Sequence, residues 1–169
     1  SRVDESLILY RQTGAVSLPQ LSAIRALAVG PENRIYAGGG KKLVICSPSG
    51  EEETVMRMGG DVTCVAVDQT GKFYVGLGNV VQGYTRTGER GVTFDKFGPD
   101  AIVTSIMATA EHVFAADAQS CTVMRFTSDG ILKQALDGKH EETDSGFVVP
   151  SPYFDLARGR GRVMWVVNP

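Results

Sequence analysis

The amino-acid sequence predicts an all-β protein built from a repeating unit of four short strands, and three observations lead to that prediction. The chain has 169 residues and 20 glycines, which recur at intervals rather than in one cluster. Three of them, Gly50, Gly88 and Gly130, follow similar strands at intervals of about 40 residues. Apolar residues alternate or run continuously, without a sustained 3.6-residue period. Four antiparallel strands in each repeat are typical of a β-propeller blade. The alternative is a β-sandwich, but a sandwich does not require the same motif to recur four times along the chain.

The first two strands of each unit carry the repeated motif. Its four copies are Ala26–Val29, Cys64–Val67, Ser105–Ala108 and Asp155–Arg158. About ten residues after each start, an aromatic residue lies in a β-prone run that predicts the second strand. These aromatic residues are Tyr36, Tyr74, Phe114 and Trp165.

The third and fourth strands flank the turn that contains the repeated glycine. Because each third strand leads into a Ser-Gly, Thr-Gly or Asp-Gly turn, it is expected to pair with the fourth strand as a hairpin. The predicted third strands are Val44–Cys46, Gln82–Tyr84 and Met124–Phe126. The predicted fourth strands are Thr54–Met58, Val92–Phe97 and Ile131–Leu136.

Each end of the chain predicts half of a blade. Leu7–Tyr10 resembles a third strand, since Tyr10 precedes Gly14 by the same spacing that separates Tyr84 from Gly88, and Ala15–Leu18 would follow as a fourth strand. The C-terminal motif copy supplies only a first and a second strand. The chain is therefore expected to be one propeller domain or a piece of one. Its predicted parts are a half-blade (5–20), three blades (23–59, 62–98 and 102–137), an insertion (138–152) and a second half-blade (153–169).

Charge and composition exclude several classes of protein. The chain has 17 Lys and Arg against 19 Asp and Glu, a net charge of -2, so a nucleic-acid partner, which favours a basic excess, is not expected. No uncharged apolar run reaches the ~18 residues of a membrane span. The cysteines, Cys46, Cys64 and Cys121, lack metal-ligand spacing and are expected to be small buried residues, with at least one unpaired within the chain.

The start of the chain leaves the cellular compartment open. Residue 1 is Ser1 rather than Met, and no apolar segment follows that would be an intact signal peptide. A processed secreted or periplasmic protein and a piece of a longer gene product are both compatible with such a start. The localisation is therefore not predicted.

The candidate binding site is the mouth of the predicted propeller channel. Loops that follow the fourth strands meet there with loops between the second and third strands, and their oxygen-bearing side chains are expected to converge around one axis. Oxygen ligands of this kind suit Ca²⁺ or another divalent ion, but turns favour Asp and Asn for backbone reasons alone. No cofactor is therefore predicted, and a metal site stays open. The candidate ligand-binding residues are Asp61, Asn79, Asp100, Asp117, Gln119 and Asp155.

Two features depart from the repeat. Asp155 stands where the other first strands have Ala26, Cys64 and Ser105. Its carboxylate is expected either to face the channel or to bond to a neighbouring backbone amide, and the second is favoured. The insertion at 138–152 is expected to be a surface connection between blades, with a lid or binding loop over the channel mouth as the alternative.

No catalytic residue is predicted. His112 and His140 show no HxH or HExxH spacing, and no G-x-S-x-G elbow or cysteine beside a base is present. The run Gly38–Lys42 lacks the Walker spacing and is expected to be a turn between strands.

The repeat resembles the NHL-repeat family. Its best local match is Val113–Ala118, followed by Val123–Phe126 and Ser128–Gly130, and the segment 146–155 with Trp165–Pro169 is similar to a stretch of uncharacterised bacterial members. The resemblance implies a propeller of typically six blades, so the chain looks about two blades short. It also implies a protein that binds proteins, RNA or ligands, although a few relatives are lactonases or lyases that use channel metals. The channel His or Glu sets of those enzymes are not visible in this sequence.

Two functions and one mode of assembly are expected. The first function is a non-enzymatic NHL-type module that binds a protein or small-molecule ligand at its channel mouth and loops. The alternative is a metal-dependent lactonase-like or hydrolase-like enzyme, with Asp61, Asp100 and Asp155 as metal ligands. A third interpretation places the biological role in a missing part of a longer chain. Because the predicted strands amount to four blades with open edges, self-association, for instance as an eight-bladed ring of two chains, is favoured over a closed monomer.

Overall fold

The structure is a computed structural model that describes residues 10, 12, 14–139, 146–147, 153–161 and 163–167. Over these ranges the chain forms fourteen β-strands and one turn of 3-10 helix, Pro31–Asn33. No helix in these ranges has the length and apolar character needed to cross a membrane. The strands form three four-stranded antiparallel sheets and one two-stranded sheet, each in sequential order.

Each four-stranded sheet is one blade. Blade 1 contains β1 (Ala26–Val29), β2 (Ile35–Gly39), β3 (Lys42–Cys46) and β4 (Glu52–Arg57). Blade 2 contains β5 (Cys64–Val67), β6 (Phe73–Gly76), β7 (Val81–Tyr84) and β8 (Arg90–Phe94). Blade 3 contains β9 (Val103–Ala108), β10 (His112–Asp117), β11 (Thr122–Thr127) and β12 (Leu132–Leu136). The half-blade contains β13 (Asp155–Arg158) and β14 (Met164–Val167).

The predicted fold class, an all-β propeller of four-stranded antiparallel blades, is confirmed. Three of the four predicted first strands have the observed bounds, and β9 only begins two residues earlier than predicted, at Val103. The fourth strands of blades 1 and 2 begin two residues before the predicted starts, at Glu52 and Arg90. They do so because the preceding turn is tight, so that pairing with the third strand resumes within two residues of the turn glycine.

The turn between the third and fourth strands has the same geometry in every blade. Gly50, Gly88 and Gly130 have φ values of +87°, +88° and +91°, a region that residues with a side chain rarely adopt. Each of their amides donates a hydrogen bond to the carbonyl three residues earlier, at 2.9 or 3.0 Å. A shift of register follows at the same place in each of the three hairpins. The glycine spacing in the sequence therefore reports a shared backbone requirement.

Aromatic side chains fill the interfaces between neighbouring blades. Phe73 and Tyr74 are adjacent in β6, so they project to opposite faces of blade 2. Phe73 meets Tyr36 of blade 1, with ring centroids 5.4 Å apart. On the other face, Phe94 meets Phe126 of blade 3 at 5.3 Å in an edge-to-face arrangement. We call these two interfaces the aromatic seams.

In blades 2 and 3, burial falls from the inner to the outer strands. Strands β5, β6 and β9 are mostly buried, whereas β4 and β12 are mostly exposed. The apolar core of the described residues is accordingly divided into clusters, and two of these join successive blades. Each blade is therefore stabilised mainly by its neighbours, as expected for a repeat protein.

The half-blade packs against blade 3. Phe154 and Leu156 are buried against Met107 of β9, and Phe147 lies 5.4 Å from the ring of Phe154. Phe147 also donates its amide to the carbonyl of Asp137 at 2.6 Å. In the insertion, residues 140–145 and 148–152 lie outside the described residues, so both the expected surface connection and its alternative, a lid, stay untested.

The N-terminal segment differs from its prediction. Leu7, Ile8 and Leu9 lie outside the described residues, whereas Ala15–Leu18 is described and belongs to no strand. A strand needs a hydrogen-bonding partner, and over these ranges no sheet edge is paired with this segment. Leu18 and Leu21 pack instead on the face of blade 1 that no other described blade covers, beside Val44 and Cys46.

Candidate functional site

The first strands of the three blades and the half-blade lie side by side and form one wall of the predicted channel. Strand β5 contacts both β1 and β9, and β9 contacts β13. A cavity of about 250 Å³ lies against this wall. It is lined by residues 25–27, 63–65, 104–106 and 153–155. The repeat therefore places the same short stretch of each unit at the channel.

Threonine hydroxyls link neighbouring first strands across this wall. Thr63 donates from Oγ1 to the carbonyl of Val103 at 2.7 Å, and Thr104 donates to the carbonyl of Phe154 at 2.6 Å. Thr63 and Thr104 occupy equivalent positions in the repeat, one residue before Cys64 and Ser105. The two hydrogen bonds fix the relative positions of three consecutive first strands.

Asp155 is held by Ser105 at the channel wall. Its Oδ1 accepts a hydrogen bond from Ser105 Oγ at 2.5 Å and another from the amide of Leu156 at 2.8 Å. The amide of Leu156 also donates to Ser105 Oγ at 3.1 Å. Asp155 thus bonds to a neighbouring amide, as favoured from the sequence, and also lines the channel cavity. Its second carboxylate oxygen has no partner among the described residues and is available to a ligand.

Cys64 lines the same cavity as a protonated thiol. It is 7% exposed, and burial raises its pKa to about 12, because a low-dielectric surrounding disfavours the thiolate. Its Sγ lies 3.8 Å from the carbonyl of Val103. A thiol in this state is a poor nucleophile at neutral pH.

Asp117 has a structural position. It is 3% exposed, and its Oδ1 accepts hydrogen bonds from the amides of Ile102 at 2.8 Å and Gln119 at 3.0 Å. Its Oδ2 accepts from Ser120 Oγ at 2.6 Å. The carboxylate closes its own turn and fixes the loop that leads into β9.

The other four candidate residues lie on exposed loops. Asn79 donates from Nδ2 to the carbonyl of Pro99 at 3.2 Å, which links two of the channel-mouth loops. Gln119 is exposed beyond the turn that Asp117 closes. Asp61 and Asp100 are exposed and make no hydrogen bond or ion pair with the described residues. Of the six candidates, only Asp155 lines the channel cavity.

The wall is polar and carries charges of both signs. Arg25 lies at its blade 1 end and Asp155 at its half-blade end. Within the described ranges, no three His, Cys, Asp or Glu side chains are close enough together to hold a metal ion. The arrangement can accept and donate hydrogen bonds, and can pair with a charged group.

Sequence reasoning missed several residues of this wall. Three of them lie one residue before the start of a motif copy, namely Arg25, Thr63 and Thr104. The fourth, Ser105, is itself the first residue of a copy. Their common register was the available signal. That signal is weak for Thr63, Thr104 and Ser105, because small and β-branched polar residues at the start of a strand are common in any sheet.

The three blades, the half-blade and their shared channel wall define the protein as at least part of a β-propeller. Solved propellers of similar fold include two lyases. Virginiamycin B lyase from Staphylococcus aureus is 16% identical, with a TM-score of 0.65, over 90% of this chain and 52% of that one. Streptogramin B lyase is 14% identical, with a TM-score of 0.69, over 90% of this chain and 50% of that one.

A propeller from a different class of protein is also similar. The β-propeller domain of Cps50 (Swd1) from Myceliophteria thermophila is 14% identical, with a TM-score of 0.59, over 78% of this chain and 49% of that one. The chain thus spans about half the length of the structures it matches. At these identities the likeness establishes the fold.

No protein-family model and no curated protein matches the chain by sequence. The NHL-repeat assignment therefore stays a prediction.

The state of Cys64 can be tested by alkylation of the native protein. With a pKa of about 12, roughly one Cys64 in 10,000 is a thiolate at pH 8. Iodoacetamide at pH 8 is therefore expected to label the partly exposed Cys121 and to leave Cys64 unmodified, as measured by peptide mass spectrometry. Protein unfolded in urea, the control, should be labelled at all three cysteines. Equal labelling rates at Cys64 and Cys121 in the native protein would contradict this assignment.

Proposed function

We propose that the protein is a non-enzymatic NHL-type β-propeller module that binds a protein or small-molecule ligand at its channel mouth. The observation that carries this proposal is the Ser105–Asp155 pair, which holds a carboxylate against the channel cavity with one oxygen unpaired among the described residues. An unpaired carboxylate oxygen at a cavity wall is a site for a hydrogen-bond donor or a cation.

The size of the cavity limits what enters it. Small-molecule pockets usually measure about 300–1,000 Å³, and this cavity measures about 250 Å³. It therefore suits one side chain of a protein partner or a small polar molecule. Arg25 at the other end of the wall favours a ligand that also carries an acceptor or a negative charge.

The channel-mouth loops extend the proposed site beyond the cavity. Asp61, Asn79, Asp100 and Gln119 are exposed on loops at this end of the blades and are proposed to contact the outer part of the ligand. Asp117 is proposed to position Gln119, because its carboxylate accepts the amide of that residue. Loops on a rigid scaffold are common places for binding residues.

The alternative is a metal-dependent enzyme of the lactonase or hydrolase type. It stays a candidate because two solved propellers of similar fold are lyases. Asp61, Asp100 and Asp155 would be its metal ligands. The binding role is preferred because the carboxylates of Asp61 and Asp100 are exposed outside the channel cavity that Asp155 lines. Tight binding of a divalent ion to the wild-type protein that is lost in Asp100→Ala would favour the enzyme instead.

Substitution of Asp155 tests the binding site. A panel of free amino acids and short peptides is screened by saturation-transfer NMR, and members with a cationic group are expected to bind. Asp155→Asn should weaken their binding at least about tenfold, because a hydrogen bond to a charged group contributes about 1.5–3 kcal/mol. Asp95→Asn, an exposed carboxylate on the outer part of blade 2, is the matched control and should bind as the wild type does. If Asp155→Asn binds these cationic ligands as tightly as the wild type does, the proposed site is wrong.

We also propose that the protein self-associates through its uncovered blade faces. Leu27 and Val29 on β1 are 63% and 62% exposed, and Trp165 on β14 is 62% exposed. Among the described strands, β14 pairs with β13 alone. Unpaired edges and exposed apolar side chains favour association.

Multi-angle light scattering measures this association. A mass of at least two chains is expected at high protein concentration, and Trp165→Lys should lower it by placing a charge on the uncovered face. The mass of a single chain at every concentration is the outcome that contradicts self-association.

A further inference from the structure

A second and larger cavity lies at the end of the blades opposite the channel mouth. It measures about 590 Å³ and lies between blade 3 and the half-blade. The turns between the first and second strands border it in blade 2, blade 3 and the half-blade, and we call it the hairpin cleft. Its polar lining residues include Gln69, Thr109, Glu111, His112, Arg125 and Arg158.

Two arginines give the hairpin cleft a positive charge. Arg125 donates from Nη2 to His112 Nε2 at 2.8 Å, since a guanidinium can only donate. The Nε of Arg125 is buried without a hydrogen-bond partner among the described residues. Within those residues, neither Arg125 nor Arg158 has a carboxylate within 4.0 Å.

The positions equivalent to Arg125 hold an apolar residue in blade 1 and a glycine in blade 2. Arg125 pairs with Phe114 across its hairpin, as Ile45 pairs with Tyr36 and Gly83 with Tyr74. Ile45 belongs to the apolar core between blades 1 and 2. A guanidinium at this position loses hydration, and this cost is offset only if an anion or several acceptors approach it.

At the same end of blades 1 and 2, an ion pair joins the turn between β1 and β2 to the turn between β7 and β8 and balances such a charge. Glu32, in the first turn of blade 1, accepts a hydrogen bond from Arg86 of blade 2 at 2.7 Å. At the hairpin cleft the nearest acid is Glu111, which is 84% exposed and lies 4.0 Å from His112 Nδ1 rather than beside either arginine. The hairpin cleft is therefore lined by two arginines and one acid, and within the described ranges that acid, Glu111, pairs with neither arginine.

The floor of the hairpin cleft is apolar. Met107, Phe114, Val163 and Met164 line it beside the arginines. Its volume lies within the ~300–1,000 Å³ that is usual for small-molecule sites. An arginine binds carboxylate and phosphate with two parallel hydrogen bonds, which gives both affinity and orientation.

We propose that the hairpin cleft binds a small molecule with a carboxylate or phosphate head and an apolar body. The head pairs with Arg125 and Arg158, and the apolar body packs on Met107, Phe114 and Met164. This site is separate from the channel mouth, at the other end of the blades, and it does not depend on the binding function proposed there.

Calorimetry with four probes tests the two halves of this ligand. Phenyl phosphate carries both the anionic head and the apolar body, inorganic phosphate carries only the head, and benzyl alcohol carries only the body. Phenyl phosphate is expected to bind at least about tenfold more tightly than either of the others, and more weakly as the salt concentration rises. Benzoate is expected to bind as well, because it shares both parts.

Three arginine variants test the location. Arg125→Gln is expected to weaken phenyl phosphate binding at least about tenfold, and Arg158→Gln severalfold, since its side chain is more exposed. Arg160→Gln, in the same turn but outside the lining, is the matched control and should bind normally. Asp155→Asn should also bind normally, which separates this site from the channel mouth.

Several outcomes would overturn the proposal. Equal binding of phenyl phosphate and inorganic phosphate, or a loss in Arg160→Gln as large as that in Arg158→Gln, would indicate charge attraction alone. If a second copy of the chain occupies the cleft, binding should disappear as the protein associates, and this result also contradicts the proposal. If Arg125→Gln does not fold, the comparison of Arg158→Gln with Arg160→Gln still tests whether phenyl phosphate binds in the hairpin cleft.

Discussion

The packing of aromatic side chains between blades is the interaction on which the rest of this structure depends. Because Phe73 and Tyr74 are adjacent in β6, one strand supplies side chains to both faces of blade 2. Phe73 meets Tyr36 on one side, and on the other side Tyr74 lies against Phe94, whose ring contacts Phe126. The two seams bury the largest side chains of the core and fix each blade relative to the next.

The channel wall follows from these seams. Once the blades are fixed, their first strands lie close enough for Thr63 and Thr104 to donate to the following strands. The same spacing brings Ser105 of blade 3 to Asp155 of the half-blade. The carboxylate is thus held in place before any ligand arrives, which lowers the entropic cost of binding. The charges of the hairpin cleft arise at the opposite end of the same blade 3–half-blade interface, where Arg125 replaces an apolar residue.

The sequence predicted the repeat better than the site. Strand positions could be inferred because the glycines at positive φ and the alternating apolar residues are local requirements that recur in each blade. Ala15–Leu18 was expected to be a strand because its apolar pattern fits one, but pairing depends on a partner that the pattern cannot report. Asp155 stood out because it departs from the aligned register. The partners of Asp117 and Arg125 could not be predicted, because they depend on contacts between separate loops and blades.

Replacement of Phe94 tests most directly whether the seams hold the structure together. Phe94→Ala removes a ring that is 1% exposed, and the free energy of unfolding in urea is expected to fall by about 3–5 kcal/mol. Val55→Ala, on the exposed fourth strand of blade 1, is the control and should change it by less than about 1 kcal/mol. A loss in Phe94→Ala no larger than that of the control would contradict the view that packing between blades fixes the channel wall.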